Sequence, residues 1–355
     1  MPSRPRPNPA RRGVTLIELL VVVSIMLIVT VIAVPAMKPA LENRKIREAA
    51  RAVNVYLGSA RNHAIELGRP VGVLFIPDST QGNPCLTLQQ VEIPAPYAGD
   101  FANSTANVYV SGSVLNADGT TTYTVQINYN QPINTNVWNG GDYIQFGYQG
   151  PLYLTSPSSA SSATITLPPN CTVPWPTTPP GITVPFQMTL QPDNNNLPNS
   201  SAVAPLQLPA GTVIDLQASG TNSGFGFGTG AGNTPILMFS PTGGVYQVIN
   251  SNGASPLIDP IYFLIGRRDR MFTLKLTSNV TIPQTSAVGA SEVMPADGLA
   301  NWQDPNNLWV SVTPQTGRIT TVENAAVANP TSMTNAAAIV LARGFALQGQ
   351  SKGGR

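Results

Sequence analysis

Arg11-Arg12-Gly13-Val14-Thr15-Leu16-Ile17-Glu18 leads straight into an apolar run, and its reading decides the rest of this 355-residue chain. From Leu19 to Met37 there are 19 residues without a charge. At about 1.5 Å of helical rise per residue such a run approaches the roughly 30 Å of a bilayer core. Glu18 is a lone carboxylate at its mouth, costly in lipid unless it has a partner or a task. Arg4, Arg6, Arg11 and Arg12 precede the run without any acid. The positive-inside rule therefore predicts a cytoplasmic N-terminus. The apolar run continues into Lys38, Glu42, Arg44 and Lys45 without the small-residue site of an ordinary secretory signal. A plain signal anchor would leave the spacing from Gly13 to Glu18 unexplained.

That spacing resembles the leader of type IV prepilins and type II secretion pseudopilins. The shared pattern is a basic leader, a glycine, an apolar first mature residue, Thr-Leu-Ile-Glu and an apolar helix. The resemblance implies that prepilin peptidase cuts between Gly13 and Val14 and that the Val14 amine is methylated. It implies that Glu18 meets the N-terminal amine of a neighbouring subunit during assembly. A carboxylate and an ammonium that neutralise each other lower the cost of holding either in lipid. Pro35 stands where the family's helices often carry a kinking proline. The implied location is the bacterial inner membrane, crossed once at about 17–37, with the C-terminal domain periplasmic. The implied partners are prepilin peptidase, other pilins or pseudopilins in a helical filament, and the inner-membrane assembly platform.

Beyond the membrane segment, Ile46, Ala50, Val53, Leu57, Ala60, Ala64 and Leu67 recur at steps of three and four, one stripe of an α-helix. Gly68 and Pro70 supply its stop. His63, the only histidine, falls near the edge of the stripe and reads as a packed or surface residue.

Composition then changes. Between Pro70 and Gly266 there is no lysine or arginine, and Thr, Ser, Asn, Gly and Pro abound. This predicts an exported, hydroxyl-rich β domain and argues against polyanion binding there. Strands are expected at Val71–Ile76, Leu86–Ile93, Thr122–Tyr129, Asp142–Tyr148, Thr183–Leu190, Thr212–Gln217, Ile236–Ser240, Val245–Ile249, Pro260–Ile265, Phe272–Leu276 and Leu308–Thr313. Three pieces resemble the GspH/FimT class of minor pseudopilins and minor pilins. They are Ala49 to Phe75, Leu237-Met238-Phe239-Ser240-Pro241-Thr242-Gly243, and Val310 to Thr313 before Thr316-Gly317-Arg318-Ile319. The implied fold is α+β, a long N-terminal helix on a β-sandwich-like, mostly antiparallel domain. The expected organisation is a leader over 1–13, the helix over 14–69, the β domain over 70–325 with an insertion at about 77–205, and a tail over 326–355 with a short helix.

Catalytic chemistry finds little support. There is no nucleophile elbow with a usable histidine, and nothing pairs any two of the scattered carboxylates. The glycines at Gly224, Gly226, Gly228 and Gly230 lack the lysine of a phosphate loop. Cys85 and Cys171 are either one disulfide of an oxidising compartment or two unrelated thiols. With one distant histidine they do not form a metal site, and no cofactor is expected. Arg267, Arg268 and Arg270, interrupted by Asp269, are either a DNA-phosphate contact or a solvated turn; nucleic acid is the less favoured partner. The chain is expected to be a non-enzymatic minor pseudopilin of a type II secretion system. The alternatives are a type IV minor pilin for adhesion or DNA uptake, and a pilin-anchored binding module or hydrolase.

Overall fold

The structure is a computed structural model that describes residues 15–78, 84–131, 142–148, 150–159, 162–169, 171–190, 198–221, 234–250, 253–271, 300–327 and 333–352. Positions 32–39, 156–159, 162, 253–254 and 350–352 are described by backbone alone. Helix α1 runs from Leu16 to Leu67, 52 residues or about 78 Å. It ends at Gly68, whose φ of 65° is the left-handed C-cap expected of glycine. Its backbone is helical through Pro35. The expected stripe is buried from Ile46 to Ala64, joined by Ala49. Leu67 departs from it and is 37% exposed, because the last turn runs past the sheet into the cap. Four of the seven buried residues are alanine, so the helix backbone lies close to the strands beneath. Burial of Ile46, Val53 and Leu57 contributes roughly 1.5–3 kcal/mol each.

The main sheet is antiparallel. It holds β1 (Val71–Pro77), β2 (Pro84–Glu92), β10 (Asn199–Ser200), β11 (Leu206–Gln207), β12 (Thr212–Gly220), β13 (Ile236–Phe239), β14 (Val245–Asn250), β15 (Gly253–Ser255), β16 (Ile261–Arg267), β17 (Leu308–Val312) and β18 (Ile319–Glu323). Their order is β15-β14-β13-β1-β2-β12-β16-β17-β18, with β10 and β11 also paired to β2. Strand side chains alternate between faces, and here both faces are used. Ile261, Phe263, Ile265, Val310 and Val312 face α1, together with Val71, Val73 and Phe75. Tyr262, Leu264 and Trp309 point the other way, under α2 (Asn335–Ala342) and α3 (Gly344–Lys352). The short helix expected in the tail is thus a helical pair that covers the back of the sheet at β12, β16, β17 and β18.

Arg343, between those two helices, is fully buried. Its guanidinium lies 5.0 Å from the Tyr262 ring and 5.2 Å from the Trp309 ring, in the corner formed by two perpendicular rings, and makes a cation–π contact with each. It donates to the carbonyls of Thr221 and Ala218 at 2.7 and 2.8 Å. Burial lowers its pKa to about 10, which leaves it charged at neutral pH.

Between β2 and β10 the chain builds a second sheet from β3 (Ala106–Leu115), β4 (Thr121–Tyr129), β5 (Tyr143–Phe146), β6 (Leu152–Ser159), β7 (Ser162–Leu167), β8 (Ile182–Val184) and β9 (Phe186–Thr189). The order is β8-β3-β4-β7-β6-β5-β9. Its two terminal strands are separated in sequence by Pro185 alone, so one interrupted strand joins both edges and the sheet closes on itself. Closure removes the exposed edges that invite aggregation. Inside lie Val108, Val125, Ile127, Ile165, Phe186 and Met188, with Trp175 edge-on to Phe146 and Tyr153 at 5.2 and 4.9 Å.

The α+β architecture is as expected, with two adjustments. Each sheet has its own apolar core. The extra module starts after β2, since β2 pairs along its length with β1, and the chain returns beside β2 through β10 and β11. The strands β3, β6, β7, β10, β11 and β15 are not among those expected from the sequence, whereas β18 is the late strand that the resemblance places after the Thr316-Gly317-Arg318 turn. The expected strand Phe272–Leu276 and the glycine-rich Gly224–Gly230 lie outside the described residues.

All three pieces that resemble the GspH/FimT class meet at one place. Arg61 of α1 donates from Nε to the Gly243 carbonyl at 2.8 Å. Val245 N–H donates to the Pro314 carbonyl at 2.7 Å, tying the turn after β13 to the turn after β17. Gly317 has a φ of 58°, and a Cβ there would stand 2.0 Å from the Gly243 carbonyl oxygen and 3.0 Å from Arg61 Nε. Gly317→Ala is therefore expected to cost about 2 kcal/mol or more, through left-handed strain and a backbone clash. The check is urea unfolding of the detergent-extracted chain, and an unchanged midpoint would contradict this packing.

Candidate functional site

Thr15 starts α1 in an extended conformation as its N-cap. Glu18 N–H donates to Thr15 Oγ1 at 3.3 Å, and Thr15 N–H donates to Glu18 Oε2 at 3.5 Å. This is a capping box, in which two backbone donors left over at the helix start are satisfied by side chains. Thr-x-x-Glu is the sequence signature of that box, a signal that the spacing argument from Gly13 to Glu18 passed over. The carboxylate is exposed at the helix start, on the residue expected to dock a neighbour.

From Leu16 to Val31 every side chain is exposed. Leu16 is 83% and Val31 71% exposed, and among the described residues no strand buries them. The two hydroxyls of this stretch are satisfied by the helix itself. Ser24 Oγ donates to the Leu20 carbonyl at 2.9 Å and Thr30 Oγ1 to the Met26 carbonyl at 2.7 Å. Such back-bonding satisfies a hydroxyl without water. Apart from Glu18 the stretch offers an apolar surface all round, and a helix of that kind belongs among lipids or other helices. Among the described residues no helix is long and apolar enough to cross a membrane. The apolar side chains described end at Val31, and the sequence carries the run on to Met37.

Residues 8–34 match the prokaryotic N-terminal methylation motif. The chain is type IV prepilin-like. The match includes Gly13, Val14 and Glu18 and stops before the β domain. Comparisons with curated proteins and with solved structures give no match. The motif implies a membrane-anchored pilus or pseudopilus subunit, processed by prepilin peptidase and assembled with other pilins. Gly13 and Val14 themselves lie outside the described residues.

The remaining candidate residues of this prepilin-like chain fall elsewhere. Cys85 is buried in β2 under α1, and Cys171 is exposed in a loop of the second module; both are free thiols. Burial pushes the Cys85 thiol up to about 12, so it stays protonated and behaves as an apolar core residue. Arg267 is held by Glu42 of α1 at 2.7 Å and by Asp269 at 2.7 Å. Arg268 meets Asp78 at 2.8 Å, and Arg270 is buried against Asp304. All three arginines thus face carboxylates and tie the end of β16 to its surroundings, which leaves no run of uncompensated cations for a phosphate backbone. Of these partners, Glu42 is the one that attaches α1, and sequence reasoning missed it.

Behind Arg267 lies a buried polar cluster. Asn301 Oδ1 accepts from Arg267 N–H at 2.8 Å, and Asn301 Nδ2 donates to Asp215 Oδ2 at 3.3 Å. Asp215 Oδ1 accepts from the N–H groups of Gln217 and Ala218 at 3.2 Å each. Burial outweighs these donors and raises the Asp215 carboxyl to about 6. A carboxyl raised in the folded state binds its proton more tightly there than in the unfolded chain. Its contribution is therefore full below the unfolded value near 4 and is lost as pH rises to about 6. The stability of the wild type minus that of Asp215→Asn should fall by roughly 2–3 kcal/mol across that window. Urea unfolding at a series of pH values checks this, and a difference that stays flat from pH 4 to 6 would contradict it.

Proposed function

We propose that this chain is a minor pseudopilin, a structural subunit of a type II secretion pseudopilus. The observation that carries the reading is the all-round apolar start of α1, fronted by one exposed carboxylate in a methylation motif. The convergence of Arg61, Gly243 and Gly317 supports the narrower GspH/FimT assignment, because the three pieces that resemble that class form one junction. On this reading the helix is held in the inner membrane through about residues 17–37 until assembly, with the β domains in the periplasm. Cleavage after Gly13 frees the Val14 amine for methylation. The subunit then leaves the bilayer as its apolar helix enters a bundle of like helices. Glu18 sets its register by meeting a neighbour's N-terminal amine, and the capping box holds that carboxylate at the helix start meanwhile. The role is mechanical and not enzymatic. The carboxylate partners of Arg267, Arg268 and Arg270 weigh against the DNA-uptake alternative.

Complementation of a deletion strain tests the reading. The deletion should leave secreted proteins in the periplasm, and the wild-type gene should restore their release. Glu18→Ala should be processed normally yet fail to restore it, since removing one member of a desolvated charge pair costs about 3–5 kcal/mol. Normal secretion in the deletion strain would overturn the pseudopilin assignment. Full rescue by Glu18→Ala would overturn the role given to that carboxylate.

A further inference from the structure

Among the described residues, one strand of ordinary length keeps an open edge. The inserted sheet closes on itself. In the main sheet β10 and β11 hold two residues each and β15 three, and strands so short are poor templates for another. Strand β18, at the other end of the order, has five, Ile319 to Glu323. It contains no proline or lysine, and its register with β17 runs without a bulge. The ladder fixes which groups its edge presents. Thr313 N–H donates to the Arg318 carbonyl at 2.9 Å, and Asn324 N–H to the Asn307 carbonyl at 3.0 Å. Bonded and unbonded positions alternate along an antiparallel pair. Thr320 and Val322 therefore turn their backbone groups toward β17, and Ile319, Thr321 and Glu323 turn theirs away from it. Among the described residues nothing bonds these three N–H groups or their carbonyls. Thr321 and Glu323 are exposed.

The faces of β18 are covered while its edge is not. Ile319 packs into the core under α1, and Val322 into the core under α3. A Cβ on Gly58 would stand 4.0 Å from Ile319 Cδ1, and Asn54 Nδ2 donates to Thr321 Oγ1 at 3.0 Å. The helix therefore runs alongside the strand, in the opposite direction. Arg47 and Arg51 continue the row of Asn54 and Gly58 on the same side of α1. Both are exposed, and neither makes an ion pair among the described residues. On this side β18 itself carries one acid, Glu323.

Unpaired groups at every second residue are satisfied by an extended backbone. A second copy does not fit. Across a two-fold axis Thr321 faces Thr321, a pairing that only the antiparallel ladder bonds, and the same axis turns one α1 end for end. Two such subunits do not share one membrane. We propose that the β18 edge receives an extended segment of a different pilin-like subunit, with an acidic side chain against Arg47 and Arg51. This rests on the proposed assembly, because the edge borders the helix through which the subunits join. The added strand ties β domain to β domain, a contact separate from the one between helices.

The test uses the full chain in its own membrane. Photo-reactive benzoylphenylalanine replaces either Ile25, exposed in the apolar half of α1, or Glu323 beside the edge. Linked peptides are identified by mass spectrometry. The Ile25 probe reports assembly through the helix. The Glu323 probe should join a different subunit that carries the same N-terminal motif. Thr321→Pro removes an outward N–H and no bond to β17. It should lower the Glu323 link by about tenfold or more, with the Ile25 link and the unfolding temperature unchanged. Thr321→Val keeps the N–H and should retain the link. Should the proline disturb folding, Glu323→Pro with the probe at Thr321 is read in its place and should show the same loss. No link from either probe contradicts the assembly reading and removes the edge site with it. A link from Ile25 with none from Glu323, a Glu323 link to a second copy alone, or a Glu323 link that survives the proline would each overturn the edge proposal.

Discussion

One helix has to satisfy two environments, and the structure is arranged around the change from one to the other. Up to Val31 the side chains described on α1 have no protein beside them. From Ile46 a narrow stripe is fully buried against the main sheet. Between the two lies a polar belt, where Glu42 binds Arg267 and Lys45 reaches the Ala210 carbonyl. An all-apolar helix is stable only among lipids or other helices, and a one-sided helix only on a surface that fits it. The polar belt marks where the first requirement gives way to the second.

The sheet that receives the stripe must be apolar on the same face along β1, β16 and β17. Because those strands alternate, their other side chains need cover as well. For β16 and β17 the C-terminal helices provide it through Tyr262, Leu264, Trp309 and the buried Arg343. Such a sheet tolerates a large insertion after a central strand, provided the chain returns beside its point of departure. Strands β10 and β11 do so by pairing with β2. The inserted sheet then stands on its own core and closes its own edges.

The N-terminal octet, the helical stripe and the strands of the main sheet were legible because each depends on local pattern. Ile261 to Ile265 is a continuous apolar run, as a strand buried on both faces must be. The strands β6 and β7 were not legible. Their Ser- and Thr-rich sequences carry few of the large apolar residues that mark a strand, and pairing with β4 and β5 decides their state. Arg343 was missed because nothing in its neighbours announces a cation packed on two aromatic rings whose adjacent strands lie far from it in sequence. The three arginines after Gly266 looked like a basic patch because their carboxylate partners lie on other elements, Glu42 and Asp78 among them. Charge read along a sequence says little about charge paired in space.

Cleavage after Gly13 is the step on which methylation and docking both depend. Mass spectrometry of the membrane-extracted protein should find a chain that begins at Val14 and carries one N-methyl group. An intact Met1 terminus, or cleavage after the apolar run, would contradict it.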